Sequence, residues 1–291
     1  MHLRNGKVIQ CSNIPLPDGA ILLSYLDITD STKVEEALKS RAEAFQEADR
    51  LKTEFISKVS YEMRTPLNTV IGFADMLSQN LFGDLNSRQA EYAKGILNTS
   101  QTLVSLLEDV LDLASIEAGR LELNKDTFDI HAFMVAALKL VQERIQQKKQ
   151  KLDFECPTDI GQMNGDEKRL KQVLFNLLSN SINFTPSHGR IKLQGFRQES
   201  EFVFSVSDSG IGIPSGDRNR LFYPFEQGDN KIFEDQDNPT TSGKGLGLSI
   251  VRNLIELHGG NIDLKSQPGR GTTVTCRIPI EGPEELNNAA S

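Results

Sequence analysis

FISKVSYEMRTPLN, residues 55–68, lies where a long amphipathic run meets Pro66, and the reading of this stretch decides the rest of the chain. Phe55, Ile56, Val59, Met63, Leu67, Val70, Ile71, Ala74 and Leu77 recur at three- and four-residue steps, which predicts a helix with one buried stripe. Tyr61, Glu62 and Thr65 fall beside that stripe. Glu62 and Thr65 are neighbours on the helix surface, and Pro66 removes a backbone donor just past them, where it should bend the helix. Polar side chains at such a bend are open to a partner.

Upstream, residues 31–55 are helix-prone, with Val34, Leu38, Arg41, Phe45 and Ala48 forming a heptad seam that has one polar defect at Arg41. This predicts a parallel coiled-coil entry. Downstream, Asn80 to Asn86 reads as a loop and Ser87 to Ala118 as a second helix, with Ile96, Ser100, Leu103, Leu107, Val110 and Ala114 in heptad spacing. A helical hairpin of this kind, residues 56–118, leaves apolar surface uncovered. Pairing with a second copy as a four-helix bundle is the economical solution, and packing against another domain of the chain is the alternative.

Gly119 and the polar stretch to Thr127 read as a hinge. Residues 128–280 then alternate: a helix over Ile130 to Lys149, a strand at Leu152 to Cys156, a helix over Asp166 to Phe184, and strands at Ile191 to Arg197 and Phe202 to Ser207. A helix over Leu246 to Leu257 follows, with strands around Ile262 to Lys265 and Thr272 to Ile278. The pattern predicts a multi-domain chain whose second part is an α+β sandwich, one mixed sheet under helices. Residues 281–291 are polar and expected to be disordered.

The 291 residues carry a net charge of -8, which gives no electrostatic reason to expect nucleic acid or an anionic membrane as partner. Cys11, Cys156 and Cys276 are far apart and form no CxxC pair, as reduced cytosolic thiols would be. No apolar run reaches the roughly 18 residues of a membrane span, and the first 20 residues lack the form of a signal peptide. The chain is expected to be cytoplasmic, or the cytoplasmic part of something larger.

Three features of the second domain suit a nucleotide. Asp208 at a strand end is followed by Gly210 and Gly212, a carboxylate able to accept from an adenine amino group beside glycines that let the backbone approach a flat ring. Gly243, Gly245 and Gly247 open a helix whose free N–H groups favour phosphate. The run is neither a P-loop nor a GxGxxG fingerprint. Asn176 and Asn180, one turn apart in an apolar run, offer amide oxygens to Mg2+; core hydrogen bonding is the alternative for each.

Residues 60–67, SYEMRTPL, resemble the phosphoacceptor box of two-component sensor histidine kinases, whose usual form is S-H-E-L-R-T-P-L. Tyr61 stands where the acceptor histidine would, as in atypical cell-cycle members of the family. The ordered set of the Asn pair, DSGIGI, Phe222 with Phe225, GKGLGL, HGGNI and GRGT is similar to the GHKL-type ATP-binding domain of histidine kinases, gyrase and Hsp90-type chaperones. The resemblance runs from about Ile56 to Pro279. It implies ATP and Mg2+ as cofactors, with Asn180 the principal metal ligand and Asn176 beside it. Asp208 would read adenine, Gly210 and Gly212 flank the base, Gly243, Gly245 and Gly247 line the phosphates, and Phe222 and Phe225 anchor a lid over residues 226–242. Residues 1–30, two short strands before a charged helix, resemble the end of a PAS sensor domain, most of which would lie outside this chain; a hairpin packed on a neighbour is the alternative.

The departures matter as much. Asn183 replaces a phosphate-contacting lysine, and the lid carries Asp229, Glu234, Asp235 and Asp237 against Lys231, so ATP is expected to bind weakly at its phosphate end. None of the four histidines, His2, His131, His188 and His258, lies on the hairpin helices to replace the missing acceptor. A phenol, ordinarily titrating near 10, is almost wholly protonated at neutral pH, and its phosphate ester is a far poorer donor than a phosphoimidazole. Three activities are open: a pseudokinase-like regulator in a phosphorelay that docks a response-regulator receiver domain, a kinase autophosphorylating Tyr61, and a receiver phosphatase using Glu62 and Thr65. The partners implied are a second copy forming a homodimer, the receiver and another kinase of the same pathway. Any membrane association would come from N-terminal regions absent here.

Overall fold

A computed structural model describes residues 7–15, 17, 21–81, 83–226 and 245–282, in two compact units, Met1–Val59 and Ser60–Ser291. Residues 227–244, which hold the expected lid from position 227 onward together with Gly243 of the glycine run, and the tail 283–291 lie outside the described residues.

In the first unit, β1 (Ile9–Pro15) and β2 (Ile21–Asp27) pair antiparallel from Ile9 against Asp27 to Pro15 against Ile21. Asp27 joins the hairpin to the helix that follows: it accepts from Thr29 Oγ1 at 2.5 Å and from Lys7 Nζ at 3.0 Å. Those contacts pull its carboxyl down to about 2. Ile21, Leu22, Leu23, Tyr25 and Leu26 stay exposed, because two strands have no inside. α1 spans Thr29–Ser78 and runs through Pro66 without interruption. Its seam residues Val34, Leu38 and Phe45 are exposed, Phe45 by 73%.

In the second unit α1 continues and α2 covers Ser87–Glu117, opened by Asn86 and Gln89, whose side chains each bond the other's backbone N–H at 2.9 Å. Ala74 and Ala93 are buried, whereas Met63, Val70, Leu77, Ile96 and Leu103 of the apolar stripes remain open. The rest comprises β3 (Asp126–Asp129), α3 (Ile130–Lys139), α4 (Gln142–Gln147), β4 (Lys151–Glu155), β5 (Gln162–Gly165), α5 (Glu167–Phe184), β6 (Arg190–Gln198), β7 (Glu201–Asp208), α6 (Gly247–Leu257), β8 (Asn261–Gln267) and β9 (Gly271–Pro279). The mixed sheet has the order β4-β6-β7-β9-β8, parallel only between β4 and β6. Leu170, Leu174, Leu178 and Ile182 of α5 and Ile250 and Leu254 of α6 bury against Leu193, Phe204, Cys276 and Ile278 of the sheet. Each fully buried side chain of that size stabilises by about 1.5–3 kcal/mol.

Three details depart from the sequence expectation. The predicted helix 130–149 is two helices, because Leu140 and Val141 bond three residues back, to Ala137 and Leu138, and tighten the chain. β3 and β5 form an extra pair, so the hinge ends in a strand rather than in a free connection. The end of α2 is docked: Leu113 enters the core, and Asp112 accepts from Arg169 at 2.7 Å and from Gln172 at 2.8 Å on α5. No helix among the described residues is long and apolar enough to cross a membrane.

Candidate nucleotide site and acceptor face

Because α5 buries Leu170, Val173, Leu174, Leu177 and Leu178, Asn176 and Asn180 are left on its half-buried edge. A side chain at Gly247 would touch Asn176 Cγ and Asn180 Nδ2, both at 3.8 Å, so α6 begins beside the pair. Its N-cap residue, Leu246, makes no side-chain cap bond, so the start of α6, where N–H groups favour an anion, has no side-chain cap from its own N-cap residue. Asn176 Nδ2 is buried without a hydrogen-bond partner among the described residues. An acceptor-rich ligand would satisfy it, and the cluster therefore fits a polyphosphate.

At the end of β7, Asp208 Oδ1 accepts from Gly210 N at 2.9 Å and from Thr272 N at 3.2 Å, while Ser181 Oγ donates to Oδ2 at 3.3 Å. Burial pushes this carboxyl up, and the two backbone donors and Ser181 pull it partly back. Ser181 follows Asn180, and Ile211 N donates to Phe184 O at 3.3 Å, so the glycine loop is tied to the same helix as the asparagines. The structure thus brings together Asn176, Asn180, Asp208, Gly210 and Gly247. Gly212 backs onto Gln267 at the rear of the loop.

The segment at Phe225 is held by its backbone. Phe225 N donates to Gly245 O at 2.9 Å, at a left-handed Phe225 that is 65% exposed. Phe222 lies under the Arg252 guanidinium of α6, 5.9 Å from the ring centre. His258 is structural: fully buried, it holds the Leu254 carbonyl at 2.7 Å through Nδ1 and accepts Asp166 N at 3.1 Å through Nε2. Sequence reasoning missed Ser181 beside Asp208 and Arg144, which reaches α5 from α4, and gave Thr272, the last residue of the GRGT motif, no role at Asp208. Nothing local marks these contacts, since the partners are 27 to 64 positions away.

Tyr61, Glu62 and Thr65 form a separate, exposed face of α1, with Tyr61 72% exposed. Beneath them Ser60 is buried, and Arg64 reaches Glu108 of α2 at 3.6 Å.

A paired-helix phosphoacceptor segment followed by an ATP-type sandwich defines the signalling core of a histidine kinase. Residues 51–119 match the His Kinase A (phospho-acceptor) domain and residues 165–282 the histidine kinase-, DNA gyrase B- and HSP90-like ATPase. The chain belongs to the sensor histidine kinase family. It is 35% identical to the sensor protein DivL of Caulobacter vibrioides over 94% of this chain and 34% of that protein. It is 36% identical to the histidine protein kinase DivJ of the same organism over 78% of this chain and 37% of that protein. The chain therefore spans about a third of the length of these relatives. Among solved structures it resembles full-length ShkA in complex with AMPPNP, at 29% identity and a TM-score of 0.63, covering 79% of this chain and 46% of that one.

Proposed function

We propose that this chain is the signalling core of an atypical histidine kinase that binds ATP with Mg2+ and docks a response-regulator receiver domain through the Tyr61 face, acting as a regulator in a phosphorelay. The observation that carries this reading is Tyr61 itself: a phenol in the acceptor position, 72% exposed, flanked by exposed Glu62 and Thr65. An aromatic ring with a polar edge beside charged neighbours supplies contact area to a docking partner. As an acceptor it would hold a phosphate ester too stable to pass on. Asn180 and Asn176 would hold the metal, Asp208 the base, and the start of α6 the phosphates; the bound nucleotide would supply a phosphoryl group or act as a conformational ligand.

Tyr61→Phe should keep receiver binding, measured by calorimetry against a panel of receiver domains, whereas Tyr61→Ala should weaken it about tenfold, as loss of an anchoring aromatic does. Base-stable label from radioactive ATP on Tyr61, with signalling lost in the Phe variant, would replace this reading with a tyrosine-directed kinase.

The exposed stripes of α1 and α2 support a homodimer through residues 31–118. Leu103 is 43% exposed and Leu107 half-buried on the same stripe, so glutamate at both positions would put two charges into the paired surface. Light scattering at micromolar concentration should show a dimer for the parent and a monomer for the double variant; a monomeric parent sinks the bundle.

A further inference from the structure

Asn183, at the position where the family resemblance implies a phosphate-contacting lysine, has a cation against it in the tertiary structure. Arg144 of α4 donates Nη2 to Asn183 Oδ1 and Nη1 to Ser179 Oγ, both at 2.9 Å. Ser179 and Asn183 are four apart on α5, and Asn183 is three residues past Asn180, so the guanidinium borders the edge that presents the Asn176–Asn180 pair. Both of its partners are neutral. Arg144 is half-buried, and no carboxylate among the described residues offsets its charge; burial pushes its guanidinium down from the usual range with no opposing anion.

A half-buried cation held only by neutral oxygens is costly, and an anionic ligand relieves that cost. Helix capping does not account for Arg144. The last carbonyls of α5 are already taken by Lys148, which donates to Ile182 O at 3.0 Å and Asn183 O at 3.2 Å, and by Gln150, which donates to Ile182 O at 3.0 Å and Thr185 O at 2.7 Å. A guanidinium has donors only, so it fixes the Asn183 amide with its oxygen toward Arg144 and leaves the amide N–H2 group for a ligand. Charge and donor thus sit on two neighbouring residues, the Arg144 guanidinium and the Asn183 amide.

We propose that Arg144 is the phosphate-side cation of the nucleotide site, a positioning residue that orients and polarises Asn183 and restores the positive charge withdrawn at that position. This rests on the nucleotide reading above. It names polyphosphate esters of adenosine as the ligand class whose affinity Arg144 sets, with adenosine itself indifferent to it.

The test titrates the whole chain with adenosine, ADP and ATP in the presence of Mg2+, followed by ligand-observed NMR and calorimetry. Arg144→Met, which keeps the packing of the stem, should weaken ADP and ATP about tenfold and leave adenosine unchanged. Adding Asn183→Lys to that variant should return the nucleotide affinity. Arg144→Lys, which keeps the charge but loses the two-pronged grip on Ser179 and Asn183, should bind ADP and ATP more tightly than Arg144→Met and more weakly than the parent. Parent-like ATP binding by Arg144→Met, equal losses for adenosine and ATP, or a Lys variant as weak as the Met variant would each overturn the role of Arg144 while leaving the site standing. A parent that binds no nucleotide overturns both.

Discussion

Alanine at Gly271 should lower the unfolding midpoint of the ATP-type domain by about 10 °C and abolish nucleotide binding. Gly271 sits at φ +91, outside what an L-residue adopts cheaply, and a Cβ there would land on the backbone carbonyl of Asp208 with Ser209 Cα 3.0 Å away. A left-handed backbone costs about 1–2 kcal/mol and overpacking about 1–3 kcal/mol, and neither obstacle is a flexible side-chain tip. Relief requires β9 to move away from the end of β7. Because Thr272 N donates to Asp208 Oδ1, that movement also displaces the carboxylate from its place. Gly216→Ala is the control, since nothing lies within 4 Å of its added carbon and its φ is ordinary. Circular dichroism on heating reads the outcome; a Gly271→Ala midpoint within about 2 °C of the control refutes the packing argument.

Asp208→Asn should cost adenine nucleotides roughly 10- to 100-fold in affinity while leaving the unliganded domain no less stable. The asparagine keeps an acceptor for Gly210 N and Thr272 N but replaces Oδ2, the oxygen on the Ser181 side, with a donor that opposes an adenine amino group. Stability moves the other way because burial, the dominant influence on Asp208, disfavours the charged form. Its folded carboxyl is raised above the ordinary 3.8, so its contribution to stability is full below that value and is lost as pH rises through the raised one. Accepting from an adenine amino group, the proposed role of Asp208, would need the ionised form. Affinity should therefore fall on acidification at a higher pH than an exposed carboxylate would give, and Asp208→Asn should lack that inflection. An Asn variant with parent affinity across the pH range would remove Asp208 from base recognition.

The periodicity around Tyr61 was enough to place both helices of the hairpin to within a residue or two at most ends, since each turn reports its own buried side. The order of Asn pair, Asp-Gly loop and Gly-rich helix start likewise picked out Asn176, Asn180, Asp208, Gly210 and Gly247, which the fold brings together, because each motif is a matter of residue type within a few positions. Whatever depended on partners distant in sequence was invisible. β5 carries Gln162, Met163, Asn164 and Gly165, without a β-branched residue, and is a strand because β3 lies beside it. Asp112 reads as an ordinary helix-surface carboxylate until Arg169 and Gln172 are brought 57 and 60 residues along the chain to meet it. The substitution at 183 showed a charge removed, and only the fold showed Arg144, 39 positions earlier, placed against it. The sequence by itself determined the hairpin helices, the exposed acceptor-type face and the nucleotide motifs, all of them properties of spacing along one helix or loop. The tertiary structure alone decided which charges lie on which edge of α5, because hydrogen bonds and ion pairs depend on separation in space, and chain folding sets that separation independently of separation along the sequence.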